Sequence, residues 1–351
     1  MGKSVRLQDI ADMIGVSAVT VSKALSGQKG VSEETRERIR AKADELGYRQ
    51  PSAIRRMHQE RQYMIGVLIA ARYEDRQVSF YWKMYRELSA RALQKGLLTS
   101  LEMISQEDED SGAVPTLLTE RRVDGFILLG PVQREYLQRL VSHTDIPMVC
   151  LDGADPKHEL DCVITDNYFG MYRMTLYLLE RGHRKLCYVG TIGSTESITD
   201  RYFGFCKAMQ EFGLPVDPGR QVIKDRALGD GLTEGYEIQL PAREEMPTAF
   251  VCNCDRTAAR VVGLLEERGW RVPEDVSVVG FDHYLYPGLC DVKLTTYEVD
   301  MKEMTGRALN ILRHKIEREY YKKGVHIVEG LLVEEESVRA VVQGTLSGKH
   351  R

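Results

Sequence analysis

Between Leu7 and Gly27 the chain reads LQDIADMIGVSAVTVSKALSG. Apolar residues recur in its first part at the spacing of one helix face, at Leu7, Ile10, Ala11 and Ile14. Gly15 follows, and glycine readily adopts the left-handed backbone conformation that ends a helix. The pattern therefore predicts a first short helix over residues 7–14 and a tight turn after it.

Ser17 is expected to cap a second helix over residues 18–25. This helix would bury Val21 and Leu25 and expose Ala18, Val19, Ser22 and Lys23. Two short helices joined by a glycine turn form a helix-turn-helix, whose second helix lies in the major groove of DNA. By itself, the same spacing also fits a plain helical bundle that contacts no nucleic acid.

A third helix is predicted to begin at Ser32-Glu33-Glu34-Thr35, where a capping hydroxyl precedes first-turn acids, and to end at Gly47. Its apolar residues Ile39, Ala43 and Leu46 can close a small three-helix core. Residues 1–62 hold 12 Lys and Arg against 8 Asp and Glu, a net charge of +4, although the whole chain carries −4. A basic head on an acidic body suits a polyanion-binding module attached to a second domain.

The bulk composition is that of a globular chain of 351 residues, with 43% hydrophobic and 28% charged residues. We expect neither a signal peptide nor a membrane span, and place the protein in the cytoplasm with the bacterial nucleoid. The odd count of 7 cysteines, scattered through apparent strands, indicates reduced thiols. No His or Cys cluster has metal-ligand spacing, so we expect no metal and no cofactor.

From Met64 onward, short apolar strands alternate with amphipathic helices, a pattern typical of parallel α/β sheets. Candidate strands span residues 65–70, 97–104, 126–130, 148–151, 186–190, 249–252 and 276–280. Candidate helices span residues 85–95, 169–181 and 258–268. Because so many crossovers do not fit one small sheet, we predict two doubly wound lobes. Ligands of such folds bind beyond the carboxyl ends of the strands, which predicts a pocket in the cleft between the lobes.

The headpiece sequence resembles that of the lactose-repressor (LacI/GalR) family almost position by position, from Leu7 to Gly27 and on through Val31-Ser32-Glu33-Glu34-Thr35-Arg36 and Leu46-Gly47-Tyr48. The body is similar to the periplasmic-binding-protein-like effector domain of that family. This similarity is carried by Arg122-Val123-Asp124-Gly125-Phe126-Ile127, Asp166-Asn167, Arg181-Gly182-His183-Arg184, Asp200-Arg201 and the run from Val272 to Asp282. The resemblance covers nearly the whole chain.

The resemblance implies roles for the second helix on DNA. Ala18, Val19 and Lys23 take base-reading positions, with Lys23 donating to guanine acceptors and the small apolar side chains meeting thymine methyl groups. The hydroxyls of Ser17, Thr20 and Ser22 would position the helix on phosphates.

Residues 51–57 resemble the hinge helix of the family, in which an apolar side chain wedges into the minor groove. Met57 falls at the wedge position, Arg55 and Arg56 add positive charge, and Ile54 is also counted among the DNA contacts. The alternative is a flexible linker, which the segment could be when no DNA is bound.

The resemblance also implies an effector site. Asp152, Arg201 and Asp282 fall where the family grips its effector, and a guanidinium fork with two carboxylates suits adjacent sugar hydroxyls. Each of the three could alternatively form an ion pair at the surface or between the lobes. Phe80, Tyr81 and Trp82 could stack on a sugar face or belong to the core, and Asp255 and Cys254 follow a strand at the cleft.

We therefore predict a DNA-binding headpiece over residues 1–50, a hinge over 51–61, an effector and dimerisation domain over 62–345 and a polar tail over 346–351. The lobes are assigned to residues 62–164 with 293–325, and to 165–292 with 326–345. The predicted protein is a homodimeric transcription regulator, a repressor by type, that binds a roughly palindromic operator and responds to a small sugar-like effector. Of the alternatives, nothing in the sequence excludes a phosphoprotein corepressor. An exported solute-binding protein would share the two-lobed fold, but the missing signal peptide and the attached headpiece contradict it. We expect no enzyme, because no phosphate-binding glycine loop follows a strand and no nucleophile with an identifiable base appears.

Overall fold

The computed structural model describes residues 7–25, 30–46, 62–73, 80–157, 159–228, 235–285 and 288–341. The chain divides into two compact units, Met1–Tyr63 and Met64–Arg351. Within the described ranges, no helix is both long enough and apolar enough to cross a membrane.

Among the described residues of the first unit, the helices are α1 (Leu7–Ile14), α2 (Ala18–Leu25) and α3 (Glu33–Glu45). Their shared core consists of buried apolar side chains, namely Ile10, Ala11, Val21, Ala24, Ile39 and Ala43. The predicted burial of Val21, Ile39 and Ala43 is confirmed. Leu25 was predicted to be buried and Ala18 to be exposed, but both are half-buried against the core. Ala24 is the fully buried residue at this end of α2.

Local hydrogen bonds fix the turns of this unit as predicted. Gly15 has a φ of 76° and its N–H donates to the Ala11 carbonyl at 2.9 Å, which ends α1. The Ser17 hydroxyl accepts the Thr20 N–H at 3.1 Å and caps α2. Ser32 caps α3 in the same way, by accepting the Thr35 N–H at 3.3 Å. The predicted end of α3 at Gly47 lies outside the described residues.

The second unit alternates strands and helices along most of its length. The elements in chain order are β1 (Tyr63–Ala70), α4 (Phe80–Gln94), β2 (Leu97–Ile104), α5 (Gln106–Ser111), α6 (Thr116–Thr119), β3 (Gly125–Leu129), α7 (Arg134–His143), β4 (Met148–Leu151), β5 (Asp161–Thr165), α8 (Asn167–Glu180), β6 (Leu186–Val189), α9 (Glu196–Glu211), α10 (Pro218–Gln221), β7 (Val222–Ile223), β8 (Ala249–Cys252), α11 (Asp255–Glu267), β9 (Ser277–Val279), β10 (Thr296–Glu298), α12 (Met301–Glu317), β11 (Val325–Val328) and β12 (Leu331–Val333). Short turns of 3-10 helix lie at Ala71–Tyr73 and Arg243–Glu245.

These elements form two lobes, as predicted. The first lobe holds a six-stranded sheet in the order β11-β5-β4-β3-β1-β2, and the second holds a four-stranded sheet in the order β7-β6-β8-β9. Parallel pairing joins β11, β5, β4, β3 and β1 in the first sheet and all four strands of the second. Each sheet is covered by its own apolar cluster, around Phe126 and Tyr136 in the first lobe and around Phe250 and Val278 in the second.

The chain crosses between the lobes through β10 and β12, which pair antiparallel. The boundary predicted between residues 325 and 326 was misplaced, because β11 belongs to the first sheet through Val328, whose backbone pairs with Thr165. This strand was not predicted from the sequence, because it is not an apolar run. Val325 and Ile327 are exposed at the edge of the sheet.

The cleft residues follow from this topology. Strand β4 ends at Leu151 directly before Asp152, β8 ends directly before Asn253, and β9 ends shortly before Asp282. Carboxyl ends of parallel strands share one edge of a sheet, so polar residues there converge on the cleft.

Candidate functional site

The second helix of the headpiece, α2, carries both polar and apolar side chains on its solvent-exposed surface. Val19 is 63% exposed, and Ser17 and Lys23 are also exposed. Ala18, Thr20 and Ser22 are half-buried. The Ser17 hydroxyl lies 2.9 Å from that of Thr20, so these two groups stabilise the start of the helix as well as facing outward. The hinge residues Ile54, Arg55, Arg56 and Met57 lie outside the described residues.

The cleft of the second unit is built around the guanidinium of Arg201, which projects from α9 and is 6% exposed. Its Nε donates to Asn167 Oδ1 at 2.9 Å and its Nη1 donates to the Asn253 carbonyl at 2.6 Å. Its Nη2 lies 3.2 Å from Asp282 Oδ1, and its Cζ lies over the Phe281 ring, 3.7 Å from the ring centroid. A buried arginine held at three points has one fixed orientation, as a ligand-orienting group requires.

Two carboxylates accompany Arg201, and both stand on unusual backbone. Asp282 has a φ of 103° and Asp152 a φ of 57°, conformations that cost free energy in a non-glycine residue and concentrate at ligand sites. Burial raises the pKa of Asp282 to about 7 against the favourable charge of Arg201, and the nearby charge of Asp152 adds to the rise. Burial likewise raises the pKa of Asp152 to about 6, opposed by Arg201 and by a hydrogen bond from Tyr81.

The three predicted aromatic residues take different places at the start of α4. The Tyr81 hydroxyl donates to Asp152 Oδ2 at 3.0 Å, so Tyr81 belongs to the cleft. Phe80 faces Tyr284 of the second lobe, with ring centroids 6.5 Å apart. Trp82 is 46% exposed and its ring packs on Tyr85 of the same helix, 5.5 Å away. The structure thus brings the first two to the cleft and places Trp82 on another side of the helix.

Asp255 lies behind the cleft and supports its wall. It is 2% exposed, accepts the Thr296 hydroxyl at 2.6 Å, and accepts the Tyr284 N–H at 2.8 Å. Burial, with the nearby charge of Asp282, raises the pKa of Asp255 to about 8. Its neighbour Cys254 is half-buried, with its sulfur 3.3 Å from the Thr257 hydroxyl.

The sequence interpretation missed a second polar group in the cleft. Arg226 donates to both carboxylate oxygens of Asp225, at 3.1 and 2.7 Å, and to Asn253 Oδ1 at 3.2 Å. Asn253 in turn donates to Asp225 Oδ2 at 2.7 Å. A signal for Asn253 existed, because it directly follows a buried parallel strand, whereas Arg226 is brought in only by tertiary contacts.

Tyr73 is another missed residue, and it lies on the first-lobe side. Its ring is 4.9 Å from that of Tyr81, and burial raises its pKa while the charges of Arg72 and Arg226 lower it. Arg72 is paired in turn with the fully buried carboxylate of Glu109. The cleft therefore combines aromatic rings, carboxylates and fixed guanidinium groups, which suits a compact polyhydroxylated ligand. Among the residues that the structure describes, no group of His, Cys, Asp and Glu could hold a metal ion.

A helix-turn-helix unit attached to a two-lobed α/β domain with a polar cleft defines a transcription regulator of the ligand-responsive type. The chain contains a lacI-family helix-turn-helix domain and a periplasmic-binding-protein-like domain. Residues 6–51 match the model described as "Bacterial regulatory proteins, lacI family", and residues 175–338 match that of a "Periplasmic binding protein-like domain".

Similarity to individual proteins extends over nearly the full chain. The sequence is 27% identical over 337 residues to the HTH-type transcriptional repressor PurR of Vibrio atlanticus (strain LGP32), covering 95% of this chain and 99% of that protein. The fold is similar to that of a transcriptional regulator CelR–cellobiose complex, with a TM-score of 0.64 and 22% identity. It is also similar to the lac repressor dimer bound to operator and the anti-inducer ONPF, with a TM-score of 0.62 and 22% identity. Both alignments cover 95% of this chain and 99% of the other.

Proposed function

We propose that this protein is a homodimeric repressor that binds a roughly palindromic operator in the cytoplasm and is switched by a small saccharide in its cleft. The observation that carries the proposal is that Arg201, Asp152 and Asp282 lie together in the cleft between the two lobes. The structurally similar regulator CelR is named as a cellobiose complex, and the similar lac repressor is a dimer bound to operator. The arrangement is one for binding, and we infer no catalytic activity.

On DNA, α2 is the proposed reading element. Val19 is the most exposed of its apolar side chains and could meet a thymine methyl group, with Ala18 beside it. Lys23 stands one turn further along, where an ammonium group can donate to guanine N7 or O6. Ser17, Thr20 and Ser22 would contact phosphates. Residues 51–61, with Ile54, Arg55 and Met57, are the proposed hinge and minor-groove contact.

In the cleft, the proposed effector bridges the lobes. Asp152 and Tyr81 belong to the first lobe, while Arg201 and Asp282 belong to the second. A ligand that bonds to both sides stabilises one angle between the lobes and so shifts the population of the two arrangements. Because operator affinity differs between the arrangements, the ligand changes it by its own differential binding free energy.

The DNA side can be tested with selected operator sequences and fluorescence anisotropy. Lys23→Ala should relax the base preference and leave affinity for unrelated DNA nearly unchanged. Lys42→Ala is the matched control, because it removes the same charge from α3, where Lys42 pairs with Glu45 at 2.8 Å. Equal losses on operator and unrelated DNA in the Lys23 variant would reassign that residue to phosphate. A wild-type protein without any preferred sequence would contradict the proposal as a whole.

The effector side can be tested by thermal shift with a panel of sugars, since a ligand that binds only the folded state raises the melting temperature. Arg201→Lys should abolish the shift, because lysine retains the charge but cannot reach Asn167, Asn253 and Asp282 together. Circular dichroism and operator binding of the same variant report whether it is folded. A folded variant with the full wild-type shift would remove Arg201 from the site.

A further inference from the structure

We propose that the cleft selects a saccharide without an acidic group, so that sugar phosphates and sugar acids are excluded as effectors. This inference rests on the proposed function and narrows the class of its ligand. Three observations on the described cleft residues support it: the guanidinium groups are already neutralised, carboxyl groups surround them, and the acceptors offered match hydroxyl donors.

The guanidinium groups of Arg201 and Arg226 already have anionic partners. Arg201 lies 3.2 Å from Asp282, and the side chains are only 7% and 14% exposed. Arg226 forms a two-point ion pair with Asp225, in which the side chains are 9% and 0% exposed. A phosphate would have to displace one of these buried carboxylates, which would then lack a partner in a poorly solvated place.

The remaining charged groups around Arg201 are acids. Asp282 lies 3.2 Å from Arg201, and Asp152 and Asp255 are close enough for their charges and that of Arg201 to act on one another's pKa. Asp200, beside Arg201 on α9, adds a further half-buried carboxyl group whose pKa is raised by burial and by Glu196. An acidic ligand would bring a further negative charge among these buried carboxyl groups, and would either force them to hold protons or leave like charges close together where solvent screens them least.

Lys83 is a cation close to the contact between Phe80 and Tyr284. Its ammonium group stands 4.8 Å from the Tyr284 ring centroid, and that ring lies 6.5 Å from the ring of Phe80. Lys83 also lines a separate surface groove with Arg86 and Glu298. It is therefore available to a ligand group that reaches the Phe80–Tyr284 contact.

Hydroxyl groups are the donors that this arrangement accommodates. Asp152 accepts one hydrogen bond from Tyr81, and Asp282 is paired with Arg201 through one oxygen, so each carboxylate keeps lone pairs for further donors. Hydrogen bonds from hydroxyls to carboxylates are charge-assisted and short. An ammonium substituent can make the same bonds, so an amino sugar should be tolerated where the corresponding phosphate is not.

The test uses matched sets, in each of which a neutral sugar is compared with acidic derivatives of the same sugar. Isothermal titration of the full chain would compare D-glucose, glucosamine, glucose 6-phosphate and glucuronate, then D-galactose and D-ribose with their phosphates, then cellobiose with cellobionate. For the set that binds, we expect the acidic member to have a dissociation constant at least about tenfold higher than the neutral member. Asp152→Asn should narrow that ratio several-fold, because it removes one of the repelling charges and keeps an acceptor.

A second variant and a control separate this effect from misfolding. Asp282→Asn should narrow the same ratio, whereas Asp145→Asn, which removes an exposed acid before β4 in the first lobe, should leave it unchanged. Binding of a sugar phosphate in preference to the neutral sugar would overturn the inference and leave a saccharide-controlled regulator standing. If no member of any set binds, the saccharide effector itself is refuted, together with this inference.

Discussion

Gly204→Ala is expected to damage the effector domain far more than the addition of one methyl group suggests. Gly204 lies on α9 where this helix crosses α8, and a Cβ built there would lie 2.1 Å from the Tyr168 carbonyl oxygen and 2.9 Å from the Tyr172 nitrogen. Both are backbone atoms, so no side-chain rotation relieves the contact. The two helices must instead separate by about 1 Å to restore ordinary van der Waals distances.

The magnitude follows from two opposing effects. Overpacking a tight backbone contact costs about 3 kcal/mol or more. Replacing glycine by alanine inside a helix contributes about 1 kcal/mol in the other direction. The expected net loss is about 2 kcal/mol of unfolding free energy, or a melting temperature lower by roughly 5 °C for a domain of this size. Because Asn167 of α8 accepts the Arg201 Nε–H from α9 at 2.9 Å, the separation should also weaken effector binding.

Urea unfolding followed by circular dichroism measures the first effect, and sugar titration measures the second. Gly263→Ala is the control, because it makes the same substitution on α11, where a Cβ would have no atom within 4 Å. The control should be neutral or stabilise by up to about 1 kcal/mol. If Gly204→Ala were as stable as Gly263→Ala and bound the effector normally, the close approach of α8 and α9 would not be a constraint on this protein.

Three further substitutions test the buried polar groups. Because the pKa of Asp255 is raised to about 8 in the folded protein, Asp255 keeps its proton on folding, and the free energy of unfolding falls as the pH rises from about 4 to 8. This fall is at most about 1.4 kcal/mol per pH unit. Asp255→Asn should flatten it, as measured by urea titrations at a series of pH values. Glu109→Gln leaves Arg72 without its buried partner and should cost about 3–5 kcal/mol, whereas the exposed Glu107→Gln should change unfolding free energy by less than about 0.5 kcal/mol. Tyr136→Phe should raise the urea midpoint, by about 1 kcal/mol in free energy, because the buried Tyr136 hydroxyl has no hydrogen-bond partner among the described residues. The role given to Asp255 would be contradicted if Asp255→Asn left the pH dependence of stability unchanged. The Arg72–Glu109 pair would be contradicted by equal losses of unfolding free energy in the two Glu variants, and the unpaired Tyr136 hydroxyl by a clear loss in Tyr136→Phe.

The sequence predicted best the features that short-range contacts determine. Gly15 and Ser17 act on residues three or four positions away, so the ends of α1 and α2 could be placed from the sequence alone. Strands β2, β4 and β8 were predicted with their observed bounds. Strands β4 and β8 are short apolar runs that are buried throughout, whereas β2 mixes polar residues into a partly buried strand that begins and ends on buried apolar residues.

The features that depend on distant contacts were harder to predict. Arg226 meets Asn253 across 27 positions of sequence, and no spacing rule connects them. Trp82 was grouped with Phe80 and Tyr81 because the three are consecutive, yet successive residues of a helix point about 100° apart, and the helix turns Trp82 away from the cleft. The lobe boundary was misplaced for a similar reason, since the pairing of β11 with β5 joins segments far apart in the chain.

The passage of the chain through β10 and β12 has a consequence for how the gene product tolerates truncation. Ser337 follows β12 and returns to the second lobe, where it is fully buried; its hydroxyl donates to the Val278 carbonyl and accepts the Thr295 N–H. A nonsense codon just before this position, after β12, would remove the last piece of a lobe that is otherwise complete. Cellular proteases should recognise such a product as unfinished, even though α1 to α3 and most of its cleft had already been synthesised.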